Sequence, residues 1–583
     1  MLPGEEPRST RGRGDFDLPG LRMNHGAALW VESAARRADP PVPTSAVARA
    51  QRLPGAFRRA ALAIAAGLLL FAGHPPVDLI LAGPLALVPL LILARDIAGD
   101  GEHRVRTAAL WGLLAGTIFF AALLTWIEPL GVLPWLLLAL SQGLWVAAFV
   151  AGVVAWGDRP WRPVMAVVWW VALEALRSHL PFGGFGWGLL GYTQHGGGIL
   201  LPVARALGVL GVSAACAAVA VGVEELLHRV AVLWRSREAA GSSPARAPSL
   251  VGVPVVGIAA VLTVAVVLGG SPPAVSGGTV DIASVQASDL RYTSAAIATR
   301  LDSDRIVHVT EQVVEATRPL ADDPPEIAIW PENSLDADIT LAENVRIREL
   351  LAEGLALLNG RPLLANGIRR GPRPNTDYNE VYLIGADGEI QDTYTKRRPV
   401  PFGEYIPFRS LFDWYPALDQ VSNDRLPGDG PEVIEVADAQ VGPVICFENL
   451  FADVVHDQVR AGADVLVVST NNTTFAAALI DDSAMSRQHL AISELRAVET
   501  GRWIVHAGVS GISAFVDPHG RVSQQTEILE AGVIRTDVPL IEGRTLATRL
   551  GALLTYALWA LSAAGLAFLT MDHRRRQRRT GRR

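Results

Sequence analysis

The sequence predicts a polytopic α-helical membrane domain of about eight transmembrane helices joined to an α/β sandwich, and three observations carry that expectation. Charged residues make up only 19% of the 583, against roughly a quarter in average soluble domains, and mean hydropathy is positive, +0.28. Apolar stretches of near-spanning length fill residues 60–270. Beyond them the texture changes to short β-rich runs alternating with polar helical stretches, the pattern of an α/β domain. Net charge is −7, from 51 basic and 58 acidic residues, so no basic surplus points to nucleic acid as a partner.

Residues 1–56 are rich in Arg, Gly, Pro and Ala, lack sustained periodicity and show no apolar core ahead of a cleavage site. They predict a disordered cytoplasmic tail and not a signal peptide. In the membrane domain, 57–270, seven apolar stretches follow at about 60–73, 77–94, 107–127, 133–156, 162–177, 206–223 and 249–269, with an eighth at 547–569. Most approach the roughly 20 residues a helix needs to cross the hydrocarbon. His74-Pro75-Pro76 separates the first two, which therefore read either as full spans or as a re-entrant hairpin.

Basic residues alternate between loops. Arg95, Arg104 and Arg106 follow the second stretch, Arg159 and Arg162 the fourth, and Arg229, Arg235, Arg237 and Arg246 the sixth, whereas the loops near 74–76, 128–132 and 178–198 contain no Lys or Arg. The positive-inside rule places the basic loops, both termini and the tail at 570–583 in the cytoplasm. The chain is expected to be a multi-pass protein of the cytoplasmic (inner) membrane, with residues 271–546 on the extracytoplasmic face.

Ser271 to Gly278 reads as a linker and 279–540 as the globular domain. Strands are predicted at Val280–Gln286, Ile327–Trp330, Pro362–Ile368, Glu380–Ile384, Val441–Cys446, Val465–Ser469, Trp503–Ala507 and Ser513–Val516, and helices at about 295–318, 341–358, 449–461 and 482–501.

Three segments of this domain set a reactive side chain beside an apolar run. In Ile327-Ala328-Ile329-Trp330-Pro331-Glu332, Pro331 is expected to end the strand and leave Glu332 at its C-terminal edge, where α/β folds hold ligands; a carboxylate favourable to a helix start is the ordinary alternative. Lys396 is the single lysine among 51 basic residues. Arg397 and Arg398 already supply charge beside it, so a compact amine there points to shape or proton exchange, against the plainer reading of a solvated basic loop. In Val441-Gly442-Pro443-Val444-Ile445-Cys446, a buried strand ends on the thiol. A helix beginning within three residues is expected to lower its pKa and to favour an oxyanion, while burial as a small hydrophobe is the commoner fate of a cysteine. The other cysteine, Cys216, lies 230 positions away in an apolar run, so no disulfide is expected.

Together these segments resemble the nitrilase, or carbon–nitrogen hydrolase, superfamily, over about 279–540, through Pro331-Glu332-Asn333-Ser334, Tyr394-Thr395-Lys396 and Ile445-Cys446-Phe447-Glu448. With the membrane stretches added, nearly the whole chain beyond residue 56 resembles the apolipoprotein N-acyltransferase family. Further resemblances lie in Pro401-Phe402-Gly403-Glu404-Tyr405-Ile406-Pro407, Val285-Gln286, Arg487-Gln488-His489, Arg496-Ala497-Val498-Glu499 and, in the membrane part, Glu174-Ala175-Leu176-Arg177, Gly184-Phe185-Gly186-Trp187 and Gly191-Tyr192. The chain departs from the family after Thr470-Asn471, where Asn472-Thr473-Thr474-Phe475-Ala476 stands in place of a Trp-Phe-Gly, and at Gly186, where proline is common.

The resemblance implies an α-β-β-α sandwich and a two-step acyl transfer. Cys446 is the implied nucleophile on a phospholipid ester, Glu332 the proton acceptor and Lys396 the oxyanion donor; the acyl thioester then passes to the α-amine of a diacylglyceryl-modified N-terminal cysteine on an apolipoprotein. Glu404 and Glu448 are implied supporting acids, for the lysine and the incoming amine, with pairing of Glu404 to Arg397 or Arg398 as the rival reading. Phe402, Tyr405, Phe408, Leu411, Phe412, Trp414 and Tyr415 read either as a lipid-facing lid or as core packing. Arg177 and Arg205, at outer helix ends, are candidates for the donor phosphate, against pairing of Arg177 with Glu174. The motifs include no metal-ligand cluster and no phosphate-cradling glycine loop, so no metal or cofactor is expected. Two rival functions remain: a membrane-tethered amidase or nitrilase using the same three residues, and a binding scaffold built on an inactive domain.

Overall fold

The two cysteines are free and belong to two differently built parts of one chain. The structure, a computed structural model, describes residues 53–240, 248–268, 275–287, 302–412, 414–415, 418–419, 421–472, 475 and 483–580. Most of the expected N-terminal tail and half of the expected linker lie outside the described residues.

The helical part comprises α1 (Leu53–Ala72), α2 (Ala82–Leu85), α3 (Val88–Ile97), α4 (Arg104–Leu123), α5 (Val132–Trp156), α6 (Arg162–Arg177), α7 (Ala204–Ala240) and α8 (Pro248–Leu268). Among the described residues, four helical segments are long and apolar enough to cross a bilayer: Gly55–Ala72, Gly101–Leu123, Val132–Trp156 and Leu201–Trp234. The second apolar stretch, read as one run over 77–94, is two short helices. Pro84 lies within the first and Pro89 in the first turn of the second, and a proline supplies no N–H to carry a helix through. Helices α4 and α5 pack closely through small residues; a Cβ on Gly116 would come within 2.8 Å of the Gly143 Cα, the contact that lets apolar helices pack in lipid.

Among the described residues the globular part has thirteen strands. The first sheet contains β1 (Val275–Gln286), β2 (Ile327–Leu335), β3 (Leu363–Arg370), β4 (Thr376–Ile384), β5 (Ile390–Thr395) and β6 (Asp424–Arg425); the second contains β7 (Ile434–Val436), β8 (Ala439–Ile445), β9 (Val465–Thr470), β10 (Trp503–Gly508), β11 (Ala514–Val516) and β12 (Val522–Gln525); β13 (Gly532–Ile541) returns to the first. Strand order is β13-β1-β2-β3-β4-β5, with β6 beside β4, and β12-β11-β10-β9-β8-β7. Both sheets mix parallel and antiparallel pairs.

The sheets stack face to face. Ile282, Ile329 and Val381 of one and Val441, Val467 and Val505 of the other share one buried core. Helices α9 (Asp302–Thr317) and α10 (Val345–Leu357) cover the outer face of the first sheet through Val313 and Leu351. Helices α11 (Ala452–Ala461) and α12 (Ala484–Thr500) cover that of the second through Val459 and Ala497. Strands covered on both faces are apolar on both faces, so β9, Val-Leu-Val-Val-Ser-Thr, is buried at every position. Five strands, β5, β6, β7, β12 and β13, were not among those the sequence predicted.

Helix α12 is buried at every position except Arg487, because its other side packs on the helical part, where Met485, Ile492 and Leu495 join a core with Trp126 and Leu189. Gln488 fastens the two parts. Its Oε1 accepts from the indole N–H groups of Trp126 (3.1 Å) and Trp187 (2.5 Å), and its Nε2 donates to Pro75 O and Leu123 O. All four of its hydrogen-bonding positions are thereby filled. After α13 (Leu546–Leu550), α14 runs from Leu553 to Thr580, past the expected end at 569.

Candidate active site

Pro331 does not end its strand as expected. Strand β2 continues to Leu335, but pairing with β3 slips between Trp330 and Leu335, since Pro331 has no N–H for the ladder. The resulting bulge carries Glu332, beside Asn333 in the left-handed region (φ 63°); bulges of this kind re-aim side chains near active sites. Glu332 is buried and fully engaged. Its Oε1 accepts from Asn379 Nδ2 at 2.9 Å and faces Lys396 Nζ at 3.4 Å, and its Oε2 accepts from the Asn471 main chain at 2.8 Å.

Lys396 follows β5 directly, and its main-chain N–H donates to Asn379 O (2.9 Å). Its side chain is 1% exposed, and Nζ lies 2.9 Å from Glu404 Oε1. Burial disfavours the ammonium, but Glu404 and then Glu332 outweigh burial and raise its pKa above the ordinary lysine value. Glu404 is lowered, against its own burial, by Lys396 and Arg425. Arg397 and Arg398 do not take Glu404 from the lysine; they pair with Asp457 and Asp453.

Cys446 follows β8 directly, with φ 51°. This left-handed conformation costs a side-chain-bearing residue of order 1–3 kcal/mol and clusters at functional sites. The expected helix start is a five-residue 3₁₀ turn, Cys446–Leu450, with α11 beginning only at Ala452. The thiol pKa is not lowered. Burial, then the Glu332 charge, push it up to about 12, against the opposing pull of Lys396 and Thr470. Glu332 pairs with Lys396 at 3.4 Å, and the end of β9 links the two sheets here, Thr470 Oγ1 reaching Cys446 Sγ and the next residue's N–H reaching Glu332.

Glu448 sits beneath the lysine loop. It is 0% exposed, and its two oxygens accept from the main chains of Arg397, Arg398 and Ile445 and from Tyr394 Oη. Burial raises its pKa first, opposed by those bonds and by Lys396. It ties the segment after β5 to the end of β8, and so fixes Lys396 relative to Cys446.

The aromatic segment is largely surface. Phe408, Leu411 and Trp414 are 70%, 66% and 68% exposed, Tyr405 is half-buried, and Phe402 packs edge-on against Phe412 and against Phe182 of the helical part. Arg177 is a correction to the sequence reading. It is buried; its Nη1 donates to Phe185 O and Trp187 O, its Nη2 to Gly188 O, and its guanidinium lies over Phe120. Glu174 bonds instead to the Leu190 N–H. Arg177 thus holds the 185–188 loop by its carbonyls. Arg205 donates to Pro518 O at 3.2 Å.

Sequence reasoning missed Asn379, which bridges both carboxylates of the lysine, donating to Glu404 Oε1 at 3.1 Å as well. Thr470 and His489, which reach the sulfur and the carbonyl of Cys446, stood in the sequence as motif residues with no role assigned. The Thr470-Asn471 pair was visible only as a motif.

Residues 306–547 match the family described as carbon-nitrogen hydrolase, and residues 66–222 match the apolipoprotein N-acyltransferase N-terminal domain. A solved amidase from Nesterenkonia sp. is similar over 49% of this chain and 98% of its own, at 18% identity and a TM-score of 0.33. The family match falls on the globular part with its two stacked sheets, joined here to a helical part with segments long and apolar enough to cross a bilayer. The apolipoprotein N-acyltransferase of Mycolicibacterium smegmatis is 31% identical over 471 residues, 79% of this chain and 76% of that protein; that of Caulobacter vibrioides is 30% identical over 518 residues, 82% and 88%. The chain belongs to the apolipoprotein N-acyltransferase family.

Proposed function

We propose that the protein transfers a fatty acyl group from a phospholipid to the α-amine of the diacylglyceryl-modified N-terminal cysteine of apolipoproteins, through a thioester on Cys446. The observation that carries this reading is the buried Glu332–Lys396–Glu404 cluster facing a thiol at a strained strand end, in a domain docked on apolar helices.

With a thiol pKa near 12, free thiolate at neutral pH would cost roughly 7 kcal/mol at 1.36 kcal/mol per pH unit. Attack is therefore coupled to proton transfer. The Cys446 proton goes to Glu332 as sulfur bonds the ester carbonyl carbon, and the ester C–O bond then breaks, with Glu332 returning the proton to the departing lysophospholipid oxygen. The Lys396 ammonium and main-chain N–H groups after Cys446 stabilise the oxyanion, about 3–4 kcal/mol for each donor. In the second half-reaction the neutral form of the acceptor amine, whose ordinary pKa is near 8, attacks the thioester carbonyl carbon; Glu332 takes the proton from the attacking nitrogen and returns it to the Cys446 sulfur as the C–S bond breaks and the amide forms. Glu404 keeps Lys396 charged and Glu448 fixes its loop.

Both substrates are amphiphiles, so the site belongs at the membrane surface, with Phe402, Tyr405, Phe408 and Trp414 facing lipid. The four spanning helices and the shorter apolar helices Val253–Ala265 and Leu553–Gly565 supply six apolar helices among the described residues; the reading of eight membrane segments, cytoplasmic termini and an extracytoplasmic catalytic domain rests on the apolar stretches and basic loops of the sequence.

The test is N-terminal acylation of a diacylglyceryl peptide in phospholipid vesicles by wild-type, Cys446→Ala and Glu332→Gln protein. Acylated peptide from wild type alone is expected. Release of free fatty acid with no acylated peptide would favour the amidase reading.

A further inference from the structure

We propose that Thr470 is a catalytic hydrogen-bond donor to the Cys446 sulfur, switched onto it as the thiolate forms. The inference rests on the reading of Cys446 as nucleophile and adds a residue to it. Thr470 closes β9 and is fully buried. Its Oγ1 lies 3.6 Å from Cys446 Sγ, 3.1 Å from Asn472 Oδ1 and 3.3 Å from His489 Nδ1. A hydroxyl has one proton to give, so these three acceptors compete for it.

The geometry around His489 shows which of them compete in the resting site. His489 Nε2 lies 3.1 Å from Cys446 O, and a carbonyl only accepts. The proton of the neutral ring therefore sits on Nε2, which leaves Nδ1 as an acceptor facing Thr470. Burial, reinforced by the Lys396 charge, lowers the imidazole pKa to about 4 and keeps the ring neutral. A neutral thiol is a weak acceptor, so the resting Thr470 proton goes to Nδ1 or to Asn472. As Sγ gives up its proton to Glu332 in the coupled step it gains negative charge and becomes the strongest acceptor of the three, and rotation about the Thr470 C–O bond turns the same O–H onto it. Thr470 itself loses no proton. The charged groups felt by the sulfur are Glu332 and Glu404, which oppose the thiolate, and Lys396, which favours it; the hydroxyl adds a donor with no further charge to bury.

The same stretch of α12 joins this device to the membrane part. The His489 ring packs on Trp187 at 5.9 Å between centroids, and Trp187 donates to the neighbouring Gln488.

The test compares Thr470→Val and Thr470→Ser with wild type in the full-length protein, reading iodoacetamide alkylation of Cys446 between pH 7 and 9 and peptide acylation in phospholipid vesicles. Loss of one donor to an anion predicts that Val lowers both rates about tenfold at every pH, with a lower unfolding midpoint because the resting acceptor of the hydroxyl is left unpaired, and that Ser restores both rates to within about twofold together with the midpoint. Val matching wild type in both rates would overturn the proposal, as would a loss that Ser fails to restore, since that outcome marks packing and not the hydroxyl. Failure of the parent reading looks different: wild-type protein fully alkylated at Cys446 would still acylate the peptide, which overturns both.

Discussion

The Lys396 ammonium and the Glu404 carboxylate form a buried ion pair, Nζ to Oε1 2.9 Å, and Glu404 is the largest influence raising the lysine pKa. Lys396→Arg should lose at least a hundredfold of acyl transfer, because a planar fork does not fit a site built around a point charge. In Glu404→Gln the folded lysine pKa falls. The charged form should then be lost at lower pH than in wild type, and the alkaline limb of the pH–rate profile should move down. An unmoved limb would show that Glu404 does not hold the lysine charge.

Cys446 has its thiol pushed up to about 12 by burial and by Glu332. Its alkylation should therefore rise about tenfold per pH unit from pH 6 to 9 without levelling, because the thiolate fraction stays far from saturation throughout. A plateau below pH 8 would mark a thiol of low pKa and remove the need for coupled proton transfer to Glu332. Glu332→Gln removes the second cause of the shift and should make the thiol more reactive to iodoacetamide while abolishing acyl transfer.

The face of α12 toward the helical part carries a buried ion pair between Arg496 and Glu499, with His456 Nε2 3.2 Å from Glu499. Arg496 also donates to Asn449 O and Leu450 O. Glu499→Gln leaves that guanidinium underpaired and should cost about 3 kcal/mol, seen as a lower unfolding midpoint in detergent. The Glu499 pKa is lowered to about 2, against its own burial, by Arg496 first. A depressed carboxylate contributes stability above its unfolded pKa, near 4.3. This contribution should be lost as pH falls from about 4 toward 2, and Glu499→Gln should lack that acid transition. Gly208, where α7 bends at φ 67°, leaves room for the carboxylate; a Cβ there would lie 2.4 Å from Glu499 Oε1. Gly208→Ala should destabilise in the same assay by about 1–3 kcal/mol.

Phe408 and Trp414 are 70% and 68% exposed beside the partly exposed Phe182 and Leu180 of the helical part. Burying such side chains in lipid contributes about 1.5–3 kcal/mol each. The double replacement Phe408→Ser with Trp414→Ser should reduce transfer from a bilayer-embedded donor at least tenfold and leave alkylation of Cys446 by a water-soluble reagent unchanged. Equal loss in both measurements would mean that the segment supports the fold.

Glu332 and Cys446 were legible in the sequence because each lies beside an apolar strand, and Lys396 because one lysine survives among the arginines. Asn379 was not, since it reaches Glu332 only through the antiparallel register that puts β4 next to β3. Strand β13 was missed because Arg535 and Asp537 interrupt its apolar pattern; they lie opposite Ala283 and Asp281 of β1, and Arg535 bonds Asp281, partners that local sequence does not show. Arg177 was misread for a similar reason. A lone cation at a helix end looks free until the 185–188 loop folds back and offers its carbonyls. The thiol pKa reversed direction because the short 3₁₀ turn, the burial of Cys446 and the approach of Glu332 are all properties of the assembled sandwich.

The account's central claim is an acyl group carried on sulfur. Intact-protein mass spectrometry of the purified enzyme incubated with a phospholipid of defined chain length should show one added acyl mass, localised to Cys446, absent from Cys446→Ala, and discharged when a diacylglyceryl peptide bearing a free α-amine is supplied. No adduct under conditions in which the peptide is acylated, or an adduct that only water removes, would contradict it.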